Sequence, residues 1–216
     1  MMRAAEYLTL RVAGLFAVAA LVGCGGEPPQ ADLDAAQAAL AAAEAAEAEK
    51  YAGSDLSAAQ KAFADAKTAF DAEAEKMLFK DWESVVPQIA DAKSKADMAR
   101  SSAEAAKAAA MAAAESAIAD ASMVIQGVRA SLEAAPAGKG TEGDIEQLRA
   151  DLDAADADLS AARAAVSSED FEMATSKAGS AKMAAEAVSE GVDAAVARYH
   201  QLVEERTPWY ERGMGG

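Results

Sequence analysis

Helix-breaking residues are almost absent from a long central stretch of the sequence. Residues 54–126 contain no glycine, and Pro87 is the single proline among them. Alanine, the residue with the highest helix propensity, makes up 63 of the 216 residues, about 29 %. Aromatic residues make up only 5 %, which disfavours a β-sheet and a thick core. The sequence therefore predicts an all-α protein whose long helices pack closely.

The remaining glycines and prolines mark where helices end. Gly53 followed by Ser54 is typical of a helix stop and a new N-cap. Residues 136–143 (Pro-Ala-Gly-Lys-Gly-Thr-Glu-Gly) have the composition of a loop, and Pro208 ends the last helix. These marks predict helices at about 30–51, 54–79, 82–134, 144–166 and 169–206.

The chain also contains an internal repeat with an offset of 89 residues, so that Leu56 corresponds to Ile145. In both copies large apolar residues recur every seven positions, with an alanine or leucine three further on, which is a heptad stripe. Two such stripes in register predict a duplicated helical unit. The predicted core seam comprises Leu56, Phe63, Phe70, Met77 and Trp82 in the first copy, and Ile145, Leu152, Leu159, Val166 and Phe171 in the second.

Each copy turns at an Asp-aromatic-Glu corner. Asp81 and Asp170 are expected to cap the following helix by accepting hydrogen bonds from its free N–H groups. Trp82 and Phe171 are expected to fill the gap at the end of two thin, alanine-lined helices. Because Pro87 does not fit deep inside a regular helix, the first copy should make an irregular turn after Asp81 and start its helix near Pro87.

Two arrangements of these helices are open at this point. One consists of two antiparallel three-helix units, residues 30–115 and 116–207, which share one continuous helix in a layout like that of spectrin-type repeats. The other is a single long pair of coiled-coil hairpins. Both are elongated all-α structures, and both place the heptad seams on buried faces.

The amino-terminal residues have the pattern of an export signal. Arg3 and Arg11 precede an uncharged run at residues 12–22, which is too short to span a bilayer and typical of a signal-peptide core. The run ends in Leu21-Val22-Gly23-Cys24, which resembles a bacterial lipobox.

A lipobox implies a diacylglycerol on the Cys24 sulfur, cleavage before Cys24, and acylation of the new amine. Residues 1–23 would then be the signal peptide and residues 24–29 a lipidated tether. An ordinary secretion signal with a stray cysteine is the alternative. It is disfavoured because Cys24 is the only cysteine in the sequence and occupies the one position that a lipobox requires. The residue after the lipidated cysteine influences which membrane of a Gram-negative bacterium receives a lipoprotein. Gly25 at this position resembles the default pattern of lipoproteins that are sent to the outer membrane.

The first copy of the repeat resembles bacterial envelope proteins that carry the domain of unknown function 4398. Tyr51-Ala52, Leu56, the alanine-rich heptads, the Asp81-Trp82 corner and Ala92-Lys93 carry the resemblance. It covers about residues 36–105 and, more loosely, residues 144–190, where Tyr-Ala is missing. The resemblance implies a helical hairpin and an envelope location. The family has no assigned activity, so no catalytic role follows from it.

The residues offer little for catalysis or metal binding. His200 is the only histidine, which excludes a histidine-based metal cluster or a Ser-His-Asp relay. Residues 138–141 (Gly-Lys-Gly-Thr) lack the context of a phosphate-binding loop. Acidic pairs such as Asp156 and Asp158 point in different directions on a helix. We therefore predict no enzyme activity, no metal and no cofactor. The net charge of −16 disfavours nucleic acid as a partner.

The carboxyl-terminal tail, residues 208–216, places Trp209 and Tyr210 just beyond the last predicted helix. They either cover the end of the bundle or form a docking peptide for a partner. An unidentified envelope protein and a second copy of the chain are the candidate protein partners.

Together these features predict a lipid-anchored, non-enzymatic scaffold or adaptor of the bacterial envelope, held on the outer membrane and facing the periplasm. The alternative is a periplasmic, chaperone-like module that binds apolar clients between its helices.

Overall fold

A computed structural model of the chain describes residues 27–138 and 140–206. These residues form six α-helices and one 3₁₀ turn, without a β-strand in either range. The elements are α1 (Gln30–Ala45), α2 (Ala48–Tyr51), α3 (Gly53–Glu75), the 3₁₀ turn (Trp82–Ser84), α4 (Val86–Ala134), α5 (Glu142–Ser167) and α6 (Phe171–Arg206). The prediction of an all-α helical bundle is confirmed.

The chain divides into two compact units, unit 1 ending at Ser101 and unit 2 starting at Ser102. The division lies within α4, whereas the sequence-based boundary was expected at residue 115. The earlier division has a physical reason. Lys107 of α4 already forms an ion pair with Glu169, in the turn between α5 and α6. Residues well before position 115 therefore belong to unit 2.

Unit 1 packs α1, α3 and the first turns of α4 against one another. One cluster combines Leu33 and Ala36 of α1 with Phe70 of α3, Trp82 and Ile89. A second cluster combines residues farther from the turn, and its buried members are Ala39, Ala59 and Ala96. Residue numbers rise along α1 and fall along α3 between the two clusters, so these helices run antiparallel. The same comparison makes α3 and α4 antiparallel.

Unit 2 packs the second part of α4 with α5 and α6. Its buried cluster contains Ala121, Ile125, Val128, Leu132, Leu152, Ala155, Leu159, Ala162, Ala178, Ala181, Ala185, Val188 and Val192. Alanine supplies six of these thirteen residues, so the helices approach closely and the core is thin. Ion pairs such as Lys177–Asp158, at 2.9 Å, and Arg198–Asp144, at 2.7 Å, join α6 to α5 at the surface. Exposed pairs of this kind contribute at most about 1 kcal/mol each.

Two predicted helices end earlier than expected. The helix predicted at 30–51 breaks at Glu47, which takes a left-handed φ of 59° between α1 and α2. The helix predicted at 54–79 ends at Glu75, and the chain continues as a loop to Asp81. The prediction that Met77 lies in the core seam is therefore wrong, because this side chain is 95 % exposed.

The predicted corners are confirmed at the level of hydrogen bonds. The Ser84 N–H donates to Asp81 Oδ1 at 3.2 Å, and the Met173 N–H donates to Asp170 Oδ1 at 3.1 Å. Ser84 and Met173 are themselves 89 residues apart, so the same cap occurs in both copies. The irregular turn before Pro87 is also present, as the 3₁₀ turn after which α4 starts at Val86.

Candidate functional site

The residues predicted to carry the lipid or to dock a partner lie outside the described residues. These are Leu21, Val22, Gly23 and Cys24 at the amino terminus and Trp209 and Tyr210 in the tail. Description begins at Glu27, three residues after Cys24. The structure therefore bears on the predicted anchor only through the part of the fold from which that segment emerges.

The structure places the predicted core seam as follows. Phe63 and Val166 are half-buried, and Met77 is exposed as noted above. The other seven residues are buried: Leu56, Phe70, Trp82, Ile145, Leu152, Leu159 and Phe171. The predicted seam residues within α3 and α5 are therefore all buried or half-buried, and the heptad register fails only after Glu75.

One end of unit 1 brings together the start of α1 and the turn between α3 and α4. Leu33, in the first turn of α1, belongs to the same buried cluster as Phe70 and Trp82. The rings of Phe70 and Trp82 lie 5.0 Å apart between centroids, at an angle of 41°. The loop between α3 and the 3₁₀ turn comprises residues 76–81. These contacts hold it beside the amino-terminal end of α1. We refer to residues 76–81 as the tip loop.

Polar contacts hold the base of the tip loop, and Glu73 is at their centre. Its Oε2 accepts a hydrogen bond from the Asp81 N–H at 2.8 Å, and its Oε1 forms an ion pair with Lys76. The Lys76 ammonium, together with the Asp81 N–H, lowers the pKa of the Glu73 carboxyl below its ordinary value. Lys80 Nζ donates to the Ala74 carbonyl oxygen at 2.9 Å. The loop is thus closed at its base by charged groups.

The apex of the tip loop is apolar and open to solvent. Met77, Leu78 and Phe79 are 95 %, 74 % and 89 % exposed. Among the described residues no other run of three large apolar side chains is exposed in this way. Sequence reasoning missed this feature because Met77 fitted the heptad spacing. The sequence nevertheless contained a signal, namely three consecutive large apolar residues. One face of a helix does not bury three consecutive side chains.

A shallow groove of about 550 Å³ runs between α3 and α4 in unit 1. The charged groups along it pair with one another, Lys61 with Asp65 and Lys95 with Asp91, both at 2.7 Å. Within the described residues there is also no group of three or more His, Cys, Asp or Glu side chains placed to hold a metal ion. The charged groups of the groove are thus engaged in ion pairs along its helices.

One helical stretch of the described chain, Trp82–Ala134, is long and apolar enough to cross a membrane by length and composition alone. Its apolar character comes largely from alanine. Lys107 in this stretch pairs with Glu169 at 2.5 Å, and Ala121 and Ile125 belong to the buried cluster of unit 2. These contacts favour a role for the helix within the bundle.

No family model, curated protein or solved structure matches the chain. The resemblance to proteins with the domain of unknown function 4398 stays a prediction from the residues quoted above.

Proposed function

We propose that the protein is a lipid-anchored, non-enzymatic scaffold or adaptor of the bacterial envelope. It is attached through Cys24 to the periplasmic face of the outer membrane, and it is related to the alanine-rich envelope proteins that it resembles. The observation that carries the proposal is the Leu-Val-Gly-Cys pattern at residues 21–24, directly after an uncharged run of signal-peptide length.

The described structure supports the proposal through the position of α1. This helix begins at Gln30, six residues after Cys24. An acylated Cys24 would therefore hold a folded helical unit close to the membrane. Two or three acyl chains, at about 0.8 kcal/mol for each buried methylene group, make such an anchor effectively permanent. Helices with buried alanine seams then supply a protein surface for partners on the periplasmic side.

The test compares Cys24→Ala with Gly26→Ala, a matched control that leaves the lipobox pattern intact. The wild type and Gly26→Ala should fractionate with membranes, and mass spectrometry should find a diacyl or triacyl mass on Cys24. Cys24→Ala should accumulate uncleaved and without that mass. A mature protein that starts at another residue and carries no lipid would contradict the proposal.

Outer-membrane placement has its own test. Gly25→Asp should divert the lipidated protein from the outer-membrane to the inner-membrane fraction of a sucrose gradient. Recovery of the wild type in the inner-membrane fraction would contradict this part of the proposal alone.

A further inference from the structure

The tip loop and the start of α1 lie at the same end of unit 1. Leu33 near the start of α1 and Phe70 and Trp82 on either side of the tip loop share one buried cluster. Gln30 follows Cys24 by six positions in the sequence, and six residues span at most about 20 Å when fully extended. A membrane that holds the Cys24 lipid is therefore within reach of this end of unit 1.

The internal repeat shows that a hairpin corner of this kind does not need an apolar apex. At an offset of 89 residues, Leu78 and Phe79 correspond to Ser167 and Ser168. The second copy forms its corner with these polar residues and a left-handed Glu169. The exposed triplet of the first copy is thus an addition to the corner, at the end of unit 1 where α1 begins.

The charges around the tip loop identify the kind of surface that suits it. Lys76 and Lys80 bind groups at the base of the loop, Glu73 and the Ala74 carbonyl, so the apex itself carries no charge. Apolar side chains above a ring of charges match the boundary between acyl chains and headgroups in a bilayer. The tip loop and the last turn of α3 contain three acidic residues, Glu73, Glu75 and Asp81, and two lysines. Because their net charge is negative, they have no attraction for anionic lipids. The surface that fits is zwitterionic.

We propose that Met77, Leu78 and Phe79 insert into the acyl–headgroup boundary of the membrane that carries the Cys24 lipid. This inference rests on the lipidation in the proposed function. Three side chains hold a free protein on a bilayer only weakly, but the anchor keeps them at a high effective concentration beside it. The insertion gives unit 1 a second attachment point, so that the end with the tip loop stands against the membrane.

The experiment places an environment-sensitive fluorophore on Met77→Cys in the full-length lipidated protein. The protein is reconstituted in phosphatidylethanolamine–phosphatidylcholine vesicles. Acylated Cys24 has no free thiol, so the label goes to residue 77 alone. The control is Ser54→Cys, an exposed position at the start of α3, the opposite end of that helix from the tip loop. The emission of the label at residue 77 should shift to the blue. It should also be quenched by a lipid that carries a nitroxide close to its headgroup. Residue 54 should show neither effect.

A second variant separates insertion from a change in folding. Adding Leu78→Ser and Phe79→Ser to Met77→Cys should abolish the blue shift and the quenching. The unfolding temperature should stay unchanged, because both side chains are exposed. Labelling Leu78→Cys in the otherwise native loop repeats the measurement at a second position.

The outcomes distinguish the two proposals. A protein without acyl mass on Cys24 that stays in the supernatant overturns both. A lipidated, vesicle-bound protein whose label at residue 77 stays red and unquenched overturns the insertion and leaves the anchor standing. A blue-shifted label that the nitroxide lipid does not quench, together with concentration-dependent dimers, shows that a second copy covers the tip loop. That result also overturns the insertion.

Discussion

Small side chains determine how closely the helices of unit 2 approach one another. Ala162 of α5 and Ala178, Ala181 and Ala185 of α6 are fully buried. Gly191 of α6 lies closer still to its neighbour, since a methyl group added there would overlap Cδ2 of Leu148. Larger residues at these positions would push the helices apart and open the core, so the alanine content is a packing requirement as well as a source of helix propensity.

The two glycines within α6 provide a test of this close approach. Gly179→Ala should raise the free energy of unfolding by about 1 kcal/mol, because alanine favours the helix and nothing lies within 4 Å of the new methyl group. Gly191→Ala should gain less or lose stability, because displacing Leu148 costs about 1–3 kcal/mol. Chemical denaturation of both variants measures the difference. Equal stabilisation by the two would show that Leu148 moves aside freely.

The helices themselves follow from the sequence, whereas their interruptions do so only in part. Heptad spacing and missing glycines predicted α3 and α5, and the Asp-aromatic corners predicted the caps at Asp81 and Asp170. The predicted N-cap at Ser54 is wrong, because α3 already begins at Gly53 and its start has no side-chain cap. The break at Glu47 and the end of α3 at Glu75 were not predicted. A left-handed glutamate gives no sequence signal of the kind that glycine gives. At the end of α3, Glu73 accepts a hydrogen bond from the Asp81 N–H eight residues later, a contact that spacing alone does not reveal.

The predicted core-seam residues also include some that the sequence located correctly and one that it did not. Periodicity was sufficient for the buried seam, because burial follows the face of a helix. It failed at Met77, where the chain leaves the helix while the apolar spacing continues.

The cap at the start of α6 is an element-scale contribution that can be measured. Asp170→Ala should lower the free energy of unfolding by about 1 kcal/mol, because the Met173 N–H loses its acceptor and the helix dipole loses a favourable charge. Asp153→Ala, at an exposed position in the middle of α5, is the matched control and should be neutral or slightly stabilising. Thermal and denaturant unfolding compare the two. An equal effect of both substitutions would contradict the capping role.

At the scale of the whole molecule, each compact unit has its own buried core. The cluster of unit 1 is built around Phe70 and Trp82, and that of unit 2 is built around Leu152 and Leu159. Among the described residues, the buried clusters of the two units share no residue, although α4 contributes to the cores of both units. Local stability in such a chain is expected to follow the core that each helix packs against.

Leu159→Ala tests whether the two cores act separately. Leu159 is buried in the cluster of unit 2, so its truncation should cost about 2–5 kcal/mol. Hydrogen exchange should then become faster in α5, α6 and residues 121–134 of α4, because these segments pack against the altered core. Amides of α1 and α3 should exchange as in the wild type, since their buried contacts lie in unit 1. Phe70→Ala should give the reverse pattern. If Leu159→Ala accelerates exchange equally in α1 and α3, the two cores unfold together, with α4 as the element that couples them.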